Sequence, residues 1–313
     1  MNRFDYTFRI MAAALVVLLA AGPFMPQWVL FLITISFGKG LVVLGLLLLL
    51  RTGLVSFGQG LYYCLGAYTA GSIGLALGIN DAVLSLLSGA LMAGLLAFIL
   101  GFLLAGYRGI FFAMLSLAFS MILYGILVKT AMLGSTDGFN VAVPSFFGTE
   151  ISGNRIRYAV YVLACLAVTL AGFLMNRYLK TPLGRLSPAI KDNELRVEYM
   201  GASVRRAIHI KYVLAATLAG LGGALTAVTV GHIDPEMAYW TTSGEFVFIT
   251  ILGGTGSVLA PFLGALIFES IRSFAYEYSP NTWQMVLGSA LLLVILFMPA
   301  GLWSVFNMRR REV

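Results

Sequence analysis

Charge, cysteine and histidine are all scarce in this chain. Only 11% of its 313 residues are charged, where an ordinary soluble domain carries about a quarter. That shortage excludes a water-soluble globule with a normal polar surface, and the 60% hydrophobic content points to a membrane. The two cysteines, Cys64 and Cys165, sit inside apolar runs without CxxC spacing, so neither a disulfide framework nor a metal site is implied. His209 and His232 stand far apart with no Cys or His nearby, which removes the usual zinc patterns. A phosphate-binding loop is missing as well: the one Gly-Lys pair, Gly38-Lys39, is followed by Gly40 within an apolar run. The chain therefore does not hydrolyse ATP itself.

What is abundant is apolar sequence, running from Ile10 almost to Trp303. A bilayer core of about 30 Å takes roughly 20 apolar residues per helix. Met1 to Arg9 followed by Ile10 to Gly22 has the charged and apolar regions of a secretory signal, but Pro23 and Pro26 lead into another apolar run, so an uncleaved first span is expected. The second span ends at Leu50, and Arg51 marks a return to the cytoplasmic side. Spans three to five are read at Leu54 to Leu77, Ala82 to Ala105 and Gly109 to Lys129. A polar segment from Thr130 to Arg157 then falls outside by alternation, although Arg155 and Arg157 run against the local charge rule.

The sixth span is Tyr158 to Met175, and the loop from Asn176 to Lys211 follows with Arg177, Lys180, Arg185, Lys191, Arg196, Arg205, Arg206 and Lys211. That density fixes the loop as cytoplasmic and accounts for much of the +7 net charge, so nucleic acid is not implied. The seventh span, Tyr212 to Val230, exits at His232, Asp234 and Glu236, a cluster read as solvated loop. Trp240 to Gly254 is read as a short eighth helix, a break follows at Gly253, Gly254 and Gly256, and a ninth helix runs to about Ile271. With a tenth span at Trp283 to Leu302, Arg309, Arg310 and Arg311 stay inside. The expected fold is an all-α polytopic transmembrane bundle of about ten spans. It forms a single permease domain over residues 1–313 with both termini cytoplasmic. Small residues at four-residue spacing, such as Ala215, Ala219, Gly223 and Ala227, suit close helix packing in lipid.

One stretch has the grammar of a soluble helix. Ser187-Pro188 reads as an N-cap with proline at N1 and Gly201 as the residue past the C-terminus, which predicts a helix over Pro188 to Met200. Ile190, Val197 and Met200 form an apolar stripe, and Lys191, Asp192, Glu194, Arg196 and Glu198 a mixed-charge face. Lipid-lying helices carry a predominantly basic face, so docking to another protein is the favoured reading.

The same loop resembles a family. Thr181-Pro-Leu-Gly-Arg185, the run Ala189-Ile-Lys-Asp-Asn-Glu194, and Met200-Gly201 followed by Lys211 are similar to the cytoplasmic loop of ABC-transporter permeases of the branched-chain amino acid type, LivM-like and of the high-affinity uptake kind. The likeness continues in Gly53-Leu-Val-Ser-Phe-Gly-Gln-Gly60, Gly66-Ala-Tyr-Thr69, Leu218-Ala-Gly-Leu-Gly-Gly-Ala-Leu225, Leu252-Gly-Gly-Thr-Gly-Ser257 and Pro299-Ala-Gly-Leu302. Two elements depart from it: Ser187-Pro188 replaces a basic residue of the family, and Ser135-Thr-Asp-Gly138 stands where the family has Thr-Gly-Gly. The resemblance implies a permease in the cell (inner) membrane that binds no cofactor itself, with ATP and Mg on partner ATP-binding subunits. It also implies a second homologous permease, favouring a heterodimer, and an extracellular or periplasmic solute-binding protein. The solute class includes a branched-chain amino acid, urea, an amide or an aromatic acid. The ATPase-coupling residues it implies are Gly184, Arg185, Ala189, Ile190, Asp192, Glu194 and Gly201.

Substrate-pathway candidates are the polar groups at plausible depth: Gln59, Tyr68, Thr69, Thr250 and Thr255. Polar links between helices are the alternative role for each. Ionisable residues within spans are few: Lys39, Glu245 and Glu269, each expected near a span end, where long side chains reach the interface. This shortage counts against the rival reading, a secondary ion-coupled transporter without an ATPase partner. No catalytic or metal-binding constellation is indicated.

Overall fold

The computed structural model describes residues 3–78, 80–146, 148–149, 153–278, 280–298 and 301–304. The Arg309 to Arg311 cluster and the Pro299-Ala300 pair lie outside them. Twelve α-helices are present among the described residues: α1 Arg3–Ala21, α2 Gln27–Leu50, α3 Gln59–Leu77, α4 Ala82–Leu104, α5 Gly109–Lys129, α6 Asn154–Tyr178, α7 Pro182–Asp192, α8 Glu194–Tyr199, α9 Val204–Val230, α10 Trp240–Gly253, α11 Ala260–Tyr278 and α12 Trp283–Phe297. Each stretch read as a span from the sequence overlaps one of these helices. Five of them, α2, α4, α5, α6 and α9, are long and apolar enough to cross a bilayer. A two-stranded antiparallel ribbon, β1 Phe139–Asn140 with β2 His232–Ile233, ties the polar segment before α6 to the end of α9.

The helix ends follow local chemistry. The Asp81 carboxylate accepts from the amides of Val83 and Leu84 at 3.0 and 3.1 Å and so starts α4. Gly78 and Gly231, both left-handed, stop α3 and α9.

α2 and α9 form the centre. Leu41 to Leu44 and Leu46 to Leu49 are wholly buried, as expected of a helix that is apolar on every side. α9 lies against α2, α3 and α4 at contacts where backbone meets backbone. Gly45 of α2 faces Ala215, Gly38 faces Gly222, and Gly66 of α3 and Gly89 of α4 converge with Gly220. A side chain at these points would hold the helices apart, which is why the small-residue spacing is there. α4 and α5 lie further out and present Leu91, Phe98, Phe111 and Met114 to the surroundings.

The loop between α6 and α9 corrects the sequence reading. The helix starts at Pro182, with the Thr181 hydroxyl accepting from the Gly184 amide at 3.2 Å, and Pro188 lies inside it rather than at its first position. Thr181-Pro182 and Ser187-Pro188 are competing start signals. Ser187 is 1% exposed and cannot serve as a solvent-facing cap. A second break comes at Asn193, whose backbone is extended and whose side chain accepts from the Arg196 amide at 3.0 Å. The predicted single helix is therefore two, α7 and α8, ending at Gly201 in the left-handed conformation as expected.

Candidate functional site

The α7–α8 unit sits at the end of the bundle that carries Arg51 and Arg108, here called the basic end. Ile190 and Val197 are buried in the core shared with α9, so most of the apolar stripe expected to meet a partner is used to fasten the unit to its own bundle. Met200 is exposed instead, together with Leu195 and Tyr199, and these three form the apolar part of the outward face. Arg185, Ala189 and Asp192 are exposed on the same unit. Gly184 is buried against the Tyr178 carbonyl and the Leu179 backbone, which leaves no space for a Cβ. Lys191 rests on Gly53 in the turn after α2.

Glu194, expected on the partner-facing side, instead accepts from Arg108 Nε at 2.6 Å and latches α8 to the α4–α5 turn. Both side chains are about one-third exposed, 31% and 34%, so the pair contributes only about 0.2–1 kcal/mol of stability. Its effect is positional. In the ATP-coupled permease that the sequence resemblance implies, Glu194→Arg is expected to leave the melting temperature nearly unchanged while lowering uptake severalfold, and the swap Arg108→Glu with Glu194→Arg should restore uptake. Failure of the swap to rescue would show that Glu194 does not act through this latch. A second difference concerns Arg205, whose Nη2 donates to the Phe102 carbonyl at 2.9 Å and joins the first turn of α9 to α4.

The five pathway candidates do not converge on one spot. Thr69 and Thr250 donate to carbonyls one turn back, Leu65 at 2.7 Å and Phe246 at 2.6 Å. Thr255 is exposed at the basic end, where its carbonyl accepts from Arg51 Nε and Nη2 at 2.9 and 2.6 Å. Tyr68 is buried near the opposite end, edge-on to Phe139, and its hydroxyl has no partner among the described residues. Gln59 is the most unusual of the five: wholly buried at the first position of α3, with neither amide atom partnered among the described residues.

Gln59 stands where two interrupted elements meet. The non-helical stretch after α2 enters the protein, with Leu54 and Ser56 buried and the Phe57 amide donating to Ser116 Oγ of α5 at 3.2 Å. The Gly60 amide donates to Ser243 Oγ of α10 at 3.0 Å, and Ser120, midway along α5, donates to the Ala238 carbonyl at 2.7 Å. α3 thus begins inside the bundle, beside Ser243, the first buried residue of α10. Helix starts at mid-depth carry unpaired amides and a positive dipole end, a feature of solute-handling membrane proteins.

The clearest departure from expectation is a charge cluster. Lys39, Glu245 and Glu269 are not at span ends. At about 1.5 Å per residue they lie roughly 12–17 Å from the basic ends of α2, α10 and α11. Lys39 Nζ donates to Glu245 Oε2 at 3.1 Å and to Glu269 Oε1 at 2.5 Å. Arg272, absent from the sequence-derived candidates, completes the group with Nη1 3.3 Å from Glu245 Oε2. Its guanidinium lies 5.4 Å from the Trp283 ring centre, a cation–π distance. Lys39 is more than 200 residues from either glutamate, so no local pattern announces that pairing; the available signals were an ionisable residue within each of three apolar runs and the i,i+3 spacing of Glu269 and Arg272. Among the described residues no group of three or more His, Cys, Asp or Glu side chains could hold a metal ion.

The family described as branched-chain amino acid transport system / permease component matches residues 28–296. The chain is similar to the high-affinity branched-chain amino acid transport system permease protein LivM of Escherichia coli K12, 30% identical over 94% of this chain and 74% of that protein. It is also similar to LivH of Salmonella typhimurium, a permease of the same name class, at 27% identity over 80% of this chain and 85% of that one. A further relative is the D-allose transport system permease protein AlsC of Escherichia coli K12, at 24% identity over 69% of this chain and 66% of that one. No solved structure matches.

Proposed function

Because the chain belongs to the branched-chain amino acid transport system permease family, we propose that it is the LivM-like half of a heterodimeric importer for branched-chain amino acids. It is a permease component and not an enzyme. The similarity to both LivM and LivH supports a second permease as its partner. In the proposed arrangement ten helices span the inner membrane, both termini are cytoplasmic, and the basic end faces the cytoplasm. Separate ATP-binding subunits, holding ATP and Mg, dimerise below and press on the outward face of α7 and α8. A solute-binding protein delivers the amino acid from the other side.

The single observation that carries this reading is the α7–α8 unit. It is fastened to the core through Ile190 and Val197 while presenting Leu195, Tyr199 and Met200 outward beside Arg185 and Asp192. An exposed apolar patch with a charged rim is a docking surface for protein, and here it is attached rigidly to α9. The secondary-transporter alternative has no use for such a surface.

The test is affinity purification from membranes in mild detergent. An ATP-binding subunit and a second permease are expected to come out with this chain, and Tyr199→Glu with Met200→Glu should release the ATP-binding subunit but keep the permease pair. A chain that purifies alone and transports leucine when reconstituted alone would overturn the proposal.

A further inference from the structure

The charge cluster is not uniformly buried, and its exposed edge has a chemical character of its own. Lys39 and Glu269 have side chains 8% and 12% exposed, whereas Glu245 and Arg272 are 22% and 37% exposed. A guanidinium and a carboxylate at this depth cannot face hydrocarbon without a cost of several kcal/mol. The edge therefore faces water or protein, and the solute pathway is one such surface in a permease.

We propose that Glu245 and Arg272 form a transient subsite for the paired charges of a zwitterionic amino acid, with Arg272 receiving the carboxylate and Glu245 the ammonium. The proposal rests on the amino-acid reading given above. Three observations carry it. The two groups are already adjacent, at 3.3 Å, and an α-amino acid presents its own opposite charges one carbon apart. Among the described residues Arg272 bonds carboxylates through Nη1 alone, so Nη2 and Nε–H remain as the two-pronged donor a planar carboxylate takes. The cluster is also balanced, two positive and two negative groups, and admitting a zwitterion leaves the total unchanged.

The neighbouring surface suits an apolar side chain. Phe248, one turn beyond Glu245 on the same helix face, is exposed, and so is Ile251. A branched aliphatic group fits there while the charged end exchanges partners with Arg272 and Glu245. Lys39 and Glu269 stay bonded to each other throughout. They act as positioning residues that hold Glu245 charged and aimed; the contact with substrate belongs to Glu245 and Arg272.

The experiment uses the complete importer in liposomes, with both permeases, the ATP-binding subunits and the binding protein. Labelled leucine uptake and ATP hydrolysis are measured in the same vesicles. The double variant Glu245→Gln with Arg272→Gln keeps the net charge of the site at zero and is expected to assemble. Leucine moved per ATP should fall by about tenfold or more, the loss of charge-assisted contacts made during passage. A structural ion pair predicts the opposite, since neutralising both partners together is nearly harmless to folding. An assembled double variant with the wild-type ratio would overturn the proposal. If the double variant does not assemble, Arg272→Lys decides: it keeps the charge and loses the fork, so a lowered ratio supports the subsite and an unchanged one overturns it. A wild-type complex that moves no leucine would instead overturn the substrate reading on which the proposal stands.

Discussion

Replacing Lys39 with methionine is expected to remove most of the folded protein from the membrane. Methionine matches the shape of the lysine stem and lacks only the ammonium, so the loss is one of charge and not of volume. The ammonium bonds Glu245 and Glu269 at 3.1 and 2.5 Å, with an 8% exposed side chain. Without it two neighbouring carboxylates remain in a largely apolar site with Arg272 as their only cation among the described residues. Breaking a buried pair from one side costs about 3–5 kcal/mol, which is a large part of the stability of most proteins. The expected readout is a collapse in the monodisperse peak after detergent extraction and a markedly lower melting temperature. Adding Glu269→Gln to Lys39→Met should recover much of both, because removing the second partner also removes the stranded charge. A lone Lys39→Met protein with wild-type yield and melting temperature would show that the cluster contributes no stability.

Gly223→Ala is expected to be nearly as damaging, although it adds a single methyl group. In an ordinary helix interior the same change is favourable by about 0.5–1 kcal/mol. Here the new Cβ would collide with the Tyr63 carbonyl of α3, and a backbone oxygen cannot rotate aside as a side chain does. α3 and α9 must separate, at a cost of at least about 1–3 kcal/mol for overpacking, and the Tyr62–Tyr212 hydroxyl contact at 2.7 Å opens with them. Gly125→Ala in α5 is the control, since nothing lies within 4 Å of its Cβ position. Thermal unfolding in detergent should show Gly223→Ala well below wild type and Gly125→Ala level with it or above. Equal melting temperatures for the two variants would refute the close-contact account of α9.

Much of this fold was legible because apolar runs, prolines and glycines are local signals. The short α10, the turn at Gly253 and Gly254, and the left-handed stop at Gly201 all follow from residues adjacent in sequence. What was misread depended on tertiary placement. Two Ser/Thr-Pro pairs offered the same start for α7, and only the burial of Ser187 separates them. Of the apolar stripe read in the loop, Ile190 and Val197 face the bundle while Met200 is exposed, because the break at Asn193 ends the single periodicity that put all three on one face. The contact between the Thr255 carbonyl and Arg51, 204 residues apart, was likewise not legible. The depth of Lys39 was obscured by neighbouring glycines, and its partners come from α10 and α11, beyond the reach of any sequence window. The similarity to known permeases establishes the family.

α9 has a mechanical consequence. It runs unbroken for 27 residues, about 40 Å, from the turn after α8 to the ribbon formed by β1 and β2. Its flanks are mostly glycine and alanine where it touches α2, α3 and α4. Surfaces of that kind have few protruding side chains to interlock and few rotamers to rearrange, so they resist axial sliding less than interdigitated leucines do. In the coupling proposed above, α9 would serve as a pushrod: a thrust applied to α8 would reach His232 and Ile233 along its backbone, resisted chiefly by the Arg205–Phe102 and Tyr62–Tyr212 contacts.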